Sequence, residues 1–408
     1  MYRLIDQGFV SLGNFLTIFL GAIFLSVSDQ AILIVAYSTY FVFLLLSVAF
    51  TYSPAQIIYS KTKYKNQYIS SNFLLHLFVS AIFVVLLYLI YNVFERFQFF
   101  IAYKIDIDSV LWFLFFQQIV DYGRRISYVI ELKLEPVIIS FLSHFLRVVV
   151  ILVVQPETFN QYFDILLLTA LIASGFALYS MFSRLTIKGL LKCLHLIRYQ
   201  IYFSRNLLSS TPIAWLISYF PIYLSGVISG AQAVAVLGTL KSLTNLANLF
   251  VELIETSQIP RWSKEKNVTR IKKLFLPSMI NIIIAFTVFW CFTLFVSLFI
   301  YEPLINIFNT KYSNTLNIFV LLWCSYLFYF YSRIVIIAYR LEHNTKIELM
   351  YSLVVLACAV PISLIIFNYF KLDGVLGGAL IYFLLPLLGS IWLIYKFFYN
   401  STVLKRIS

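Results

Sequence analysis

Residues 72–94 read NFLLHLFVSAIFVVLLYLIYNVF, a run of 23 residues with no Asp, Glu, Lys or Arg. As an α-helix this run would be about 35 Å long, enough to cross the hydrocarbon core of a bilayer, which is about 30 Å thick. Similar runs recur along the whole chain of 408 residues, of which 62% are apolar and only 12% are charged. Soluble domains are about half apolar and about a quarter charged. The sequence therefore predicts an all-α polytopic membrane protein and excludes a soluble enzyme, a secreted disulfide scaffold and a disordered binding protein.

The apolar runs divide the chain into twelve predicted transmembrane helices. The fourth has the weakest pattern, because Gln117, Gln118 and Asp121 interrupt a short apolar core. The predicted spans are 8–28, 31–52, 72–94, 109–123, 137–155, 162–182, 207–229, 233–258, 275–300, 313–339, 347–370 and 374–396.

The distribution of basic residues supports this number of spans and places both termini in the cytoplasm. Of the 30 Lys and Arg residues, 23 fall in predicted inner segments and four in outer segments (Arg96, Lys104, Lys311 and Lys371). Cytoplasmic loops of membrane proteins carry such an excess of basic residues. The formal net charge of +13 therefore reflects topology and does not predict nucleic-acid binding.

Twelve helices with both ends inside divide into two lobes of six helices in the same orientation. We predict an N-terminal six-helix lobe (1–183), a basic cytoplasmic connection (184–206), a C-terminal six-helix lobe (207–396) and a cytoplasmic tail (397–408). The first span is not expected to be a cleaved signal peptide, because its amino-terminal flank is almost neutral and no small-residue cleavage site follows it.

Three basic residues lie inside predicted spans, where an ionisable group is costly and usually faces a cavity or a partner. Arg147 is about 15 Å from the cytoplasmic end of its span, and Lys241 is about 12 Å below the outer face. Arg333 is near the inner face, where its side chain can equally extend to the surface. Because the sequence shows no acid at comparable depth, it favours a hydrated cationic cavity over buried ion pairs. His144, one turn from Arg147, would either extend this cationic patch or pack in the core.

The eighth span carries polar residues at helical spacing. Lys241, Asn245, Asn248, Glu252 and Glu255 are separated by intervals of 4, 3, 4 and 3 residues. This spacing places all five on one face of a helix, along about 21 Å. Asparagines alone would indicate polar contacts between packed helices. The added cation and carboxylates favour the lining of a cavity.

Two further spans contain candidate functional residues. Pro221 and Gly226 weaken backbone hydrogen bonding in the seventh span, which indicates either a bendable gating helix or ordinary kinked packing. Tyr329 shares a helix face with Tyr326 and Arg333 in the tenth span. Tyrosines in this arrangement either stack on sugar rings or pack against other aromatic residues.

Motifs for catalysis or for metal binding are absent from the sequence. There is no G-x-x-x-x-G-K-[ST], no H-E-x-x-H, and no CxxC among the four cysteines. A polysaccharide polymerase or glycosyltransferase would also need a long catalytic external loop, and the predicted external loops are short. We therefore predict a non-enzymatic protein with no catalytic residue, no metal and no organic cofactor.

Three segments carry recognisable local patterns. They are Asp6–Phe15 (DQGFVSLGNF), Gln117–Arg125 (QQIVDYGRR) and Leu237–Phe250 (LGTLKSLTNLANLF), the last followed by Glu252 and the Pro260–Arg261 exit. These segments resemble the bacterial polysaccharide and O-antigen flippases of the multidrug/oligosaccharidyl-lipid/polysaccharide exporter superfamily.

The resemblance implies a V-shaped exporter of the bacterial cytoplasmic (inner) membrane. Such an exporter would move undecaprenyl-pyrophosphate-linked oligosaccharide, as O-antigen or exopolysaccharide repeat units, from the inner to the outer leaflet by alternating access. It would work beside a polysaccharide polymerase and a chain-length regulator, and coupling to H⁺ or Na⁺ is left open. The resemblance also places Lys241, Asn245, Asn248 and Glu252 on a cavity-lining segment. A cationic cavity suits a strongly anionic pyrophosphate.

Three other classes of protein remain as alternatives, and one of them is the polysaccharide polymerase or glycosyltransferase, against which the short external loops argue. A multidrug or organic-cation antiporter of the same superfamily should expose an acidic cavity, whereas the intramembrane charge read from this sequence is basic. A non-transporting scaffold of an envelope-assembly complex would not need the polar stripe of the eighth span.

Overall fold

The structure is a computed structural model, which describes residues 2–96, 107–182, 184–185, 194–244, 281, 283–295, 315–341 and 346–399. Every regular element in these ranges is a helix. The chain forms two compact units, Met1–Pro212 and Ile213–Ser408, and one long helix, Leu194–Ser229, contributes to both.

The N-terminal unit is built from eight α-helices and the first part of a ninth. A π-helical turn at Val48–Tyr52 joins α2 to α3, and another at Phe141–Phe145 joins α6 to α7. The helices are α1 (Tyr2–Phe24), α2 (Val27–Ser47), α3 (Ser53–Lys61), α4 (Lys65–Arg96), α5 (Ile107–Val129), α6 (Glu135–Ser140), α7 (Leu146–Val154), α8 (Phe159–Phe182) and α9 (Leu194–Ser229).

The C-terminal unit contains the second part of α9 and the helices that follow it. A π-helical turn at Ile365–Tyr369 extends α13. The helices are α10 (Ala231–Thr244), α11 (Ile283–Phe295), α12 (Thr315–Leu341), α13 (Lys346–Leu364) and α14 (Gly374–Tyr399).

Multiple membrane spans are confirmed by the length and composition of these helices. Within the described ranges, nine helical segments are long and apolar enough to cross a bilayer. The predicted fourth span, 109–123, coincides with α5, which is not among those nine. Much of the predicted eighth span and of the ninth lies outside the described residues. The count of twelve and the orientation therefore stay predictions.

The first two helices begin earlier than the hydropathy pattern predicted. α1 starts at Tyr2 and ends at Phe24, and α2 starts at Val27. The Ser26 hydroxyl accepts a hydrogen bond from the backbone N–H of Asp29 at 3.1 Å, which caps the amino terminus of α2. Asp29 and Gln30, which hydropathy assigned to a loop, thus lie in the first turn of α2.

Helix α5 is the central helix of the N-terminal unit. It contacts α2, α4, α6 and α8, and 15 of its 23 residues are buried. A helix enclosed by other helices can carry polar residues because they face protein partners and not lipid. This enclosure explains why its apolar pattern is the weakest among the predicted spans.

Part of the predicted cytoplasmic connection, 184–206, is helical and packed. α9 begins at Leu194, and the Gln200 amide donates to the carbonyl of Phe50 at 2.7 Å and to Asn72 at 2.8 Å. The Tyr68 hydroxyl donates to the Gln200 carbonyl oxygen at 3.0 Å. The first turns of α9 therefore belong to the N-terminal unit, and the boundary between the two units follows Pro212 rather than residue 183.

Close approach of α9 to α10 and α14 depends on glycines. Gly230 has φ = +74° and separates α9 from α10. On α14, Gly374 and Gly378 lie against Ser229 and Ser225 of α9, where an added Cβ would come within 2.5 Å and 2.2 Å of a serine oxygen. Small residues four apart allow two membrane helices to come close together.

Candidate functional site

Arg147 lies at the beginning of α7 and is enclosed within the N-terminal unit. Only 1% of the residue is exposed. Its guanidinium donates to the Tyr37 hydroxyl at 3.0 Å, to Gln117 Oε1 at 2.8 Å and to Thr169 Oγ1 at 3.4 Å. Its Cζ also lies 5.5 Å from the centroid of the Phe113 ring. The charge is therefore held by neutral oxygen acceptors and an aromatic face contributed by α2, α5 and α8.

An acid lies at the other end of this network. Gln117 Nε2 points to Asp121 Oδ2 at 3.4 Å, and the Tyr40 hydroxyl donates to the same oxygen at 2.5 Å. Asp121 is 3% exposed. The Gln117 amide thus accepts from the cation Arg147 and donates to the anion Asp121. The sequence showed no acid at a depth comparable to that of Arg147, and the structure connects Arg147 to Asp121 indirectly, through Gln117 of α5.

A second buried charge cluster lies between α1, α5 and α6. Arg124 Nη1 is 3.0 Å from Asp6 Oδ2, and both side chains are at most 1% exposed. The hydroxyls of Tyr128 and Ser140 also donate to the Asp6 carboxylate. Sequence reasoning did not assign these residues, although Asp6 and Arg124 lie in segments that carry the family resemblance. The signal that would have found them is an acid within the first turns of an otherwise apolar helix.

A small polar cavity of about 10 Å³, room for about one water molecule, lies beside the Val48–Tyr52 π turn of the N-terminal unit. The His76 ring stacks on Tyr122 with centroids 4.5 Å apart, and its Nε2 is 3.0 Å from the carbonyl of Gln118. The Ser47 hydroxyl donates to Gln118 Oε1 at 2.6 Å. The lining residues are Leu44, Ser47, Val48, Thr51, Tyr52, His76, Gln118, Asp121, Tyr122 and Arg125. Asp121 therefore links this cavity to the Arg147 network.

His144 lies on the π turn that precedes Arg147 and is 1% exposed. It packs against α1, where a Cβ added at Gly13 would lie 2.5 Å from the His144 Cβ. Its predicted contribution to a cationic patch stays a prediction.

Lys241 is enclosed by tyrosines in the C-terminal unit. Its ammonium lies 3.5 Å from the Tyr219 ring centroid and 5.3 Å from that of Tyr382. It donates to the backbone carbonyl of Ser218 at 2.5 Å, and the Tyr382 hydroxyl donates to the same carbonyl at 2.5 Å. Lys241 is 7% exposed. We call this arrangement of Ser218, Tyr219, Lys241 and Tyr382 the tyrosine cage.

The other residues of the predicted polar stripe cannot be placed beside Lys241. Asn245, Asn248 and Glu252 lie outside the described residues. The cavity lining predicted for the eighth span therefore stays a prediction.

Arg333 has an acidic partner that the sequence did not predict. Its Nη1 is 3.3 Å from Glu348 Oε1, and the two side chains are 21% and 11% exposed. The pair joins α12 to the first turn of α13. Tyr329, one turn from Arg333, packs against Tyr326 with ring centroids 5.6 Å apart. Both residues thus lie in one polar and aromatic region of the C-terminal unit.

The predicted gating residues lie in the tightly packed part of α9. A Cβ added at Gly226 would lie 2.5 Å from a methyl group of Val234 in α10. The Ser225 hydroxyl donates to the carbonyl of Pro221 at 2.6 Å. These contacts describe one conformation, and gating by Pro221 and Gly226 stays a prediction.

Comparison with solved structures identifies the fold as that of MATE transporters of the MOP superfamily. The inward-facing conformation of a multidrug resistance MATE family transporter is 14% identical with a TM-score of 0.61, covering 97% of this chain and 93% of that chain. A mutant of the Vibrio cholerae MATE transporter VcmN is 14% identical with a TM-score of 0.61, and the match covers 98% of this chain and 95% of that chain.

A third similar structure is a MOP superfamily transporter from Pyrococcus furiosus, for which the reversed polarity of the binding pocket suggests a different function. It is 12% identical with a TM-score of 0.61, covering 97% of this chain and 93% of that chain. No protein-family model and no curated protein matches the sequence. The similarity to these structures therefore shows the transporter fold that the sequence resemblance implied. The finer resemblance to polysaccharide flippases stays a prediction.

Proposed function

We propose that this protein is a flippase that moves undecaprenyl-pyrophosphate-linked oligosaccharide from the inner to the outer leaflet of the bacterial cytoplasmic membrane. The observation that carries this proposal is Lys241, an ammonium group buried among tyrosines about 12 Å below the predicted outer face. A cation in a medium of low dielectric attracts the phosphates of such a cargo strongly. Tyrosine rings offer flat apolar faces and hydroxyls to a glycan.

The contribution of the N-terminal unit to this proposal is smaller than the sequence suggested. Arg124 is paired with Asp6, and Arg147 is joined to Asp121 through Gln117. The cationic attraction for an anionic cargo therefore rests on Lys241 more than on Arg147.

A multidrug or organic-cation antiporter of the same superfamily is the second candidate. Two observations favour it: the similar solved structures include a multidrug resistance transporter, and Asp121 is a buried carboxylate. On the names of the similar structures alone, this candidate fits better than a flippase. Identity of 12–14% supports the fold and leaves the cargo open.

Transport in either case would need a driving force, and we propose coupling to H⁺ or Na⁺ at Asp121. The carboxylate is linked to both the Arg147 network and the polar cavity beside the π turn. Neutralising Asp121 would weaken the hydrogen bonds that Tyr40 and Gln117 donate to it, because hydrogen bonds to a charged acceptor are the stronger ones. For a flippase, a polysaccharide polymerase and a chain-length regulator would act on the cargo after it reaches the outer leaflet.

The test compares the source bacterium with a strain that lacks the gene. For a flippase, the lipid extract of the deletion strain should accumulate undecaprenyl-pyrophosphate-linked oligosaccharide, and surface glycan should be lost. Complementation by wild type should restore the glycan, and Lys241→Met, which keeps the length without the charge, should not. Intact surface glycan, together with increased sensitivity to ethidium, would overturn the flippase and support the antiporter.

A further inference from the structure

The tyrosine cage has the chemistry of a binding site for an ammonium ion. Proteins recognise ammonium groups with the faces of aromatic rings, and buried amines also need acceptor oxygens. The cage supplies the faces of Tyr219 and Tyr382, at 3.5 Å and 5.3 Å from the nitrogen, and the Ser218 carbonyl. The chain fills this site with its own Lys241.

Three helices meet at Gly378 to build the cage. A Cβ added at Gly378 would lie 2.6 Å from Leu237 of α10 and 3.3 Å from the Pro221 carbonyl of α9. Lys241 is one helical turn from Leu237, and Tyr382 is one turn from Gly378, so both side chains lie on the faces that converge. The missing side chain at Gly378 allows the approach that brings the Tyr382 hydroxyl to α9.

The acceptor of the cage lies next to a proline. Pro221 has no N–H and therefore removes one backbone hydrogen bond from the turn of α9 that contains Ser218. The Ser218 carbonyl accepts from both Lys241 and Tyr382. The helical bond that Pro221 removes is that of the Ile217 carbonyl and not that of Ser218, and the Ser218 oxygen accepts from Lys241 and Tyr382 because a carbonyl oxygen has two lone pairs.

We propose that the tyrosine cage is a cation-binding site that Lys241 occupies from within, and that this occupation excludes organic ammonium compounds from the C-terminal unit. An alkylammonium ion carries the same charged group as lysine on the same kind of apolar stem. It would compete for the same ring faces and the same carbonyl. If the flippase proposal is correct, this exclusion also makes the unit selective for anionic over cationic cargo.

The test uses the purified full-length protein and removes the lysine side chain. Lys241→Ala leaves a space next to the cage, and n-butylammonium chloride should fill it. At millimolar concentrations it should raise the Tm of this variant by roughly 2–4 °C and leave the Tm of wild type unchanged, at equal ionic strength. The uncharged 1-butanol should stabilise neither protein. No shift in the variant, or the same shift in wild type, would overturn the proposal.

Two variants control for unspecific effects of the amine. Lys65→Ala removes an exposed lysine whose nitrogen lies 5.3 Å from the Tyr59 ring centroid, and it should not respond to n-butylammonium. The double variant Lys241→Ala/Tyr219→Leu removes the nearer ring and should lose the response. A response that persists in the double variant would place the amine elsewhere and contradict the cage.

A second measurement applies if Lys241→Ala does not fold. In wild type, reductive methylation followed by mass spectrometry should modify Lys65 many times faster than Lys241. Tyr219→Leu should raise the labelling of Lys241 several-fold and leave Lys65 unchanged. Equal labelling of the two lysines in wild type would overturn the cage. Because neither experiment measures lipid flipping, the cage and the flippase proposal can fail separately.

Discussion

A single buried guanidinium shows how this protein carries charge at membrane depth. Arg147 directs its nitrogens to the oxygens of Tyr37, Gln117 and Thr169. The guanidinium has five N–H donors in a fixed planar arrangement, so acceptors on several helices can satisfy it without a direct carboxylate. The Gln117 amide in turn donates a hydrogen bond to the Asp121 carboxylate. Arg147 thus holds α2, α5, α7 and α8 together in addition to any role in transport.

Replacing Arg147 should therefore change stability as well as transport. Arg147→Ala leaves a cavity and deprives Tyr37 and Gln117 of their charged partner, at a cost of about 3–5 kcal/mol. Tyr37→Phe removes only one neutral partner and should cost about 1 kcal/mol. Thermal unfolding of the purified proteins measures both. An unchanged Tm for Arg147→Ala would show that the guanidinium is not held as the structure describes.

Asp121 should be the residue at which transport responds to ions. Asp121→Asn keeps the size of the side chain and removes the charge, so transport in proteoliposomes should no longer respond to an imposed H⁺ or Na⁺ gradient. Asp164→Asn is the matched control, because Asp164 is an exposed acid in the same unit that accepts from Ser109 at 2.8 Å. Transport by Asp121→Asn that follows the gradient as in wild type would exclude coupling at this residue.

The sequence identified two of the buried cations, Arg147 and Lys241, but not their partners. Arg147 and Lys241 stand out because a charge in an apolar run is rare. Tyr37 lies 110 residues from Arg147, and Tyr219 and Tyr382 are two of 29 tyrosines in the chain. Nothing local distinguishes a tyrosine that holds a cation from one that packs against lipid. Such pairings depend on which helices become neighbours, and local periodicity does not contain that information.

At the scale of helices, hydropathy underestimated those that are surrounded by protein. α5 carries Gln117, Gln118, Asp121 and Arg124, all at most 3% exposed, because its neighbours shield it from lipid. The lipid-exposed helix α4 has the opposite character, with Val85, Leu86, Leu89 and Ile90 about half exposed. The clearest hydropathy signal therefore comes from the helices at the periphery. The weakest hydropathy signal comes from α5, which contributes Gln117 and Asp121 to the Arg147 network.

The π turns are a second feature of the helices that hydropathy does not predict. A π turn adds one residue to a helical turn and often occurs at functional sites. The turn at Val48–Tyr52 contributes Val48, Thr51 and Tyr52 to the polar cavity, and the turn at Phe141–Phe145 immediately precedes Arg147. Residues after each turn face a different direction from that given by a regular helix. A helical wheel that treats 141–147 as a regular α-helix therefore assigns the residues after the turn to faces that are shifted by about one residue.

Contact between α9 and α14 should be sensitive to one methyl group. At Gly378 a Cβ would lie 2.2 Å from the Ser225 hydroxyl oxygen and 2.6 Å from Leu237, so Gly378→Ala should destabilise the protein by about 1–3 kcal/mol. At Gly175 in α8 an added Cβ would meet nothing within 4 Å. Gly175→Ala should be neutral or stabilising by up to about 1 kcal/mol, because alanine favours the helix. Equal Tm changes for the two variants would contradict the close contact of the helices.

At the scale of the whole chain, much of the helical order was predictable from its sequence. Each apolar run of about 20 residues predicts a helix independently of the others, because a segment in lipid must pair its backbone N–H and C=O groups with each other. The chain divides into its two units after Pro212, and the hydrogen bond between Gln200 and Tyr68 places the start of α9 in the N-terminal unit. The basic residues of 184–206 predicted a connection because they do not reveal such contacts between residues that are far apart in the sequence.

The orientation of the chain, like the count of twelve spans, stays a prediction at this scale, and two exposed positions test the orientation. Lys133 lies in a predicted inner segment between α5 and α6, and Glu157 lies in the predicted outer segment between α7 and α8. In a variant without the four native cysteines, Glu157→Cys should react with a membrane-impermeant maleimide on intact cells, and Lys133→Cys should react only after permeabilisation. This pattern is expected because Lys and Arg retain their segments on the cytoplasmic side. The reverse pattern would place the termini outside, and Lys241 would then lie near the inner face, where it would meet the cargo at loading instead of at release.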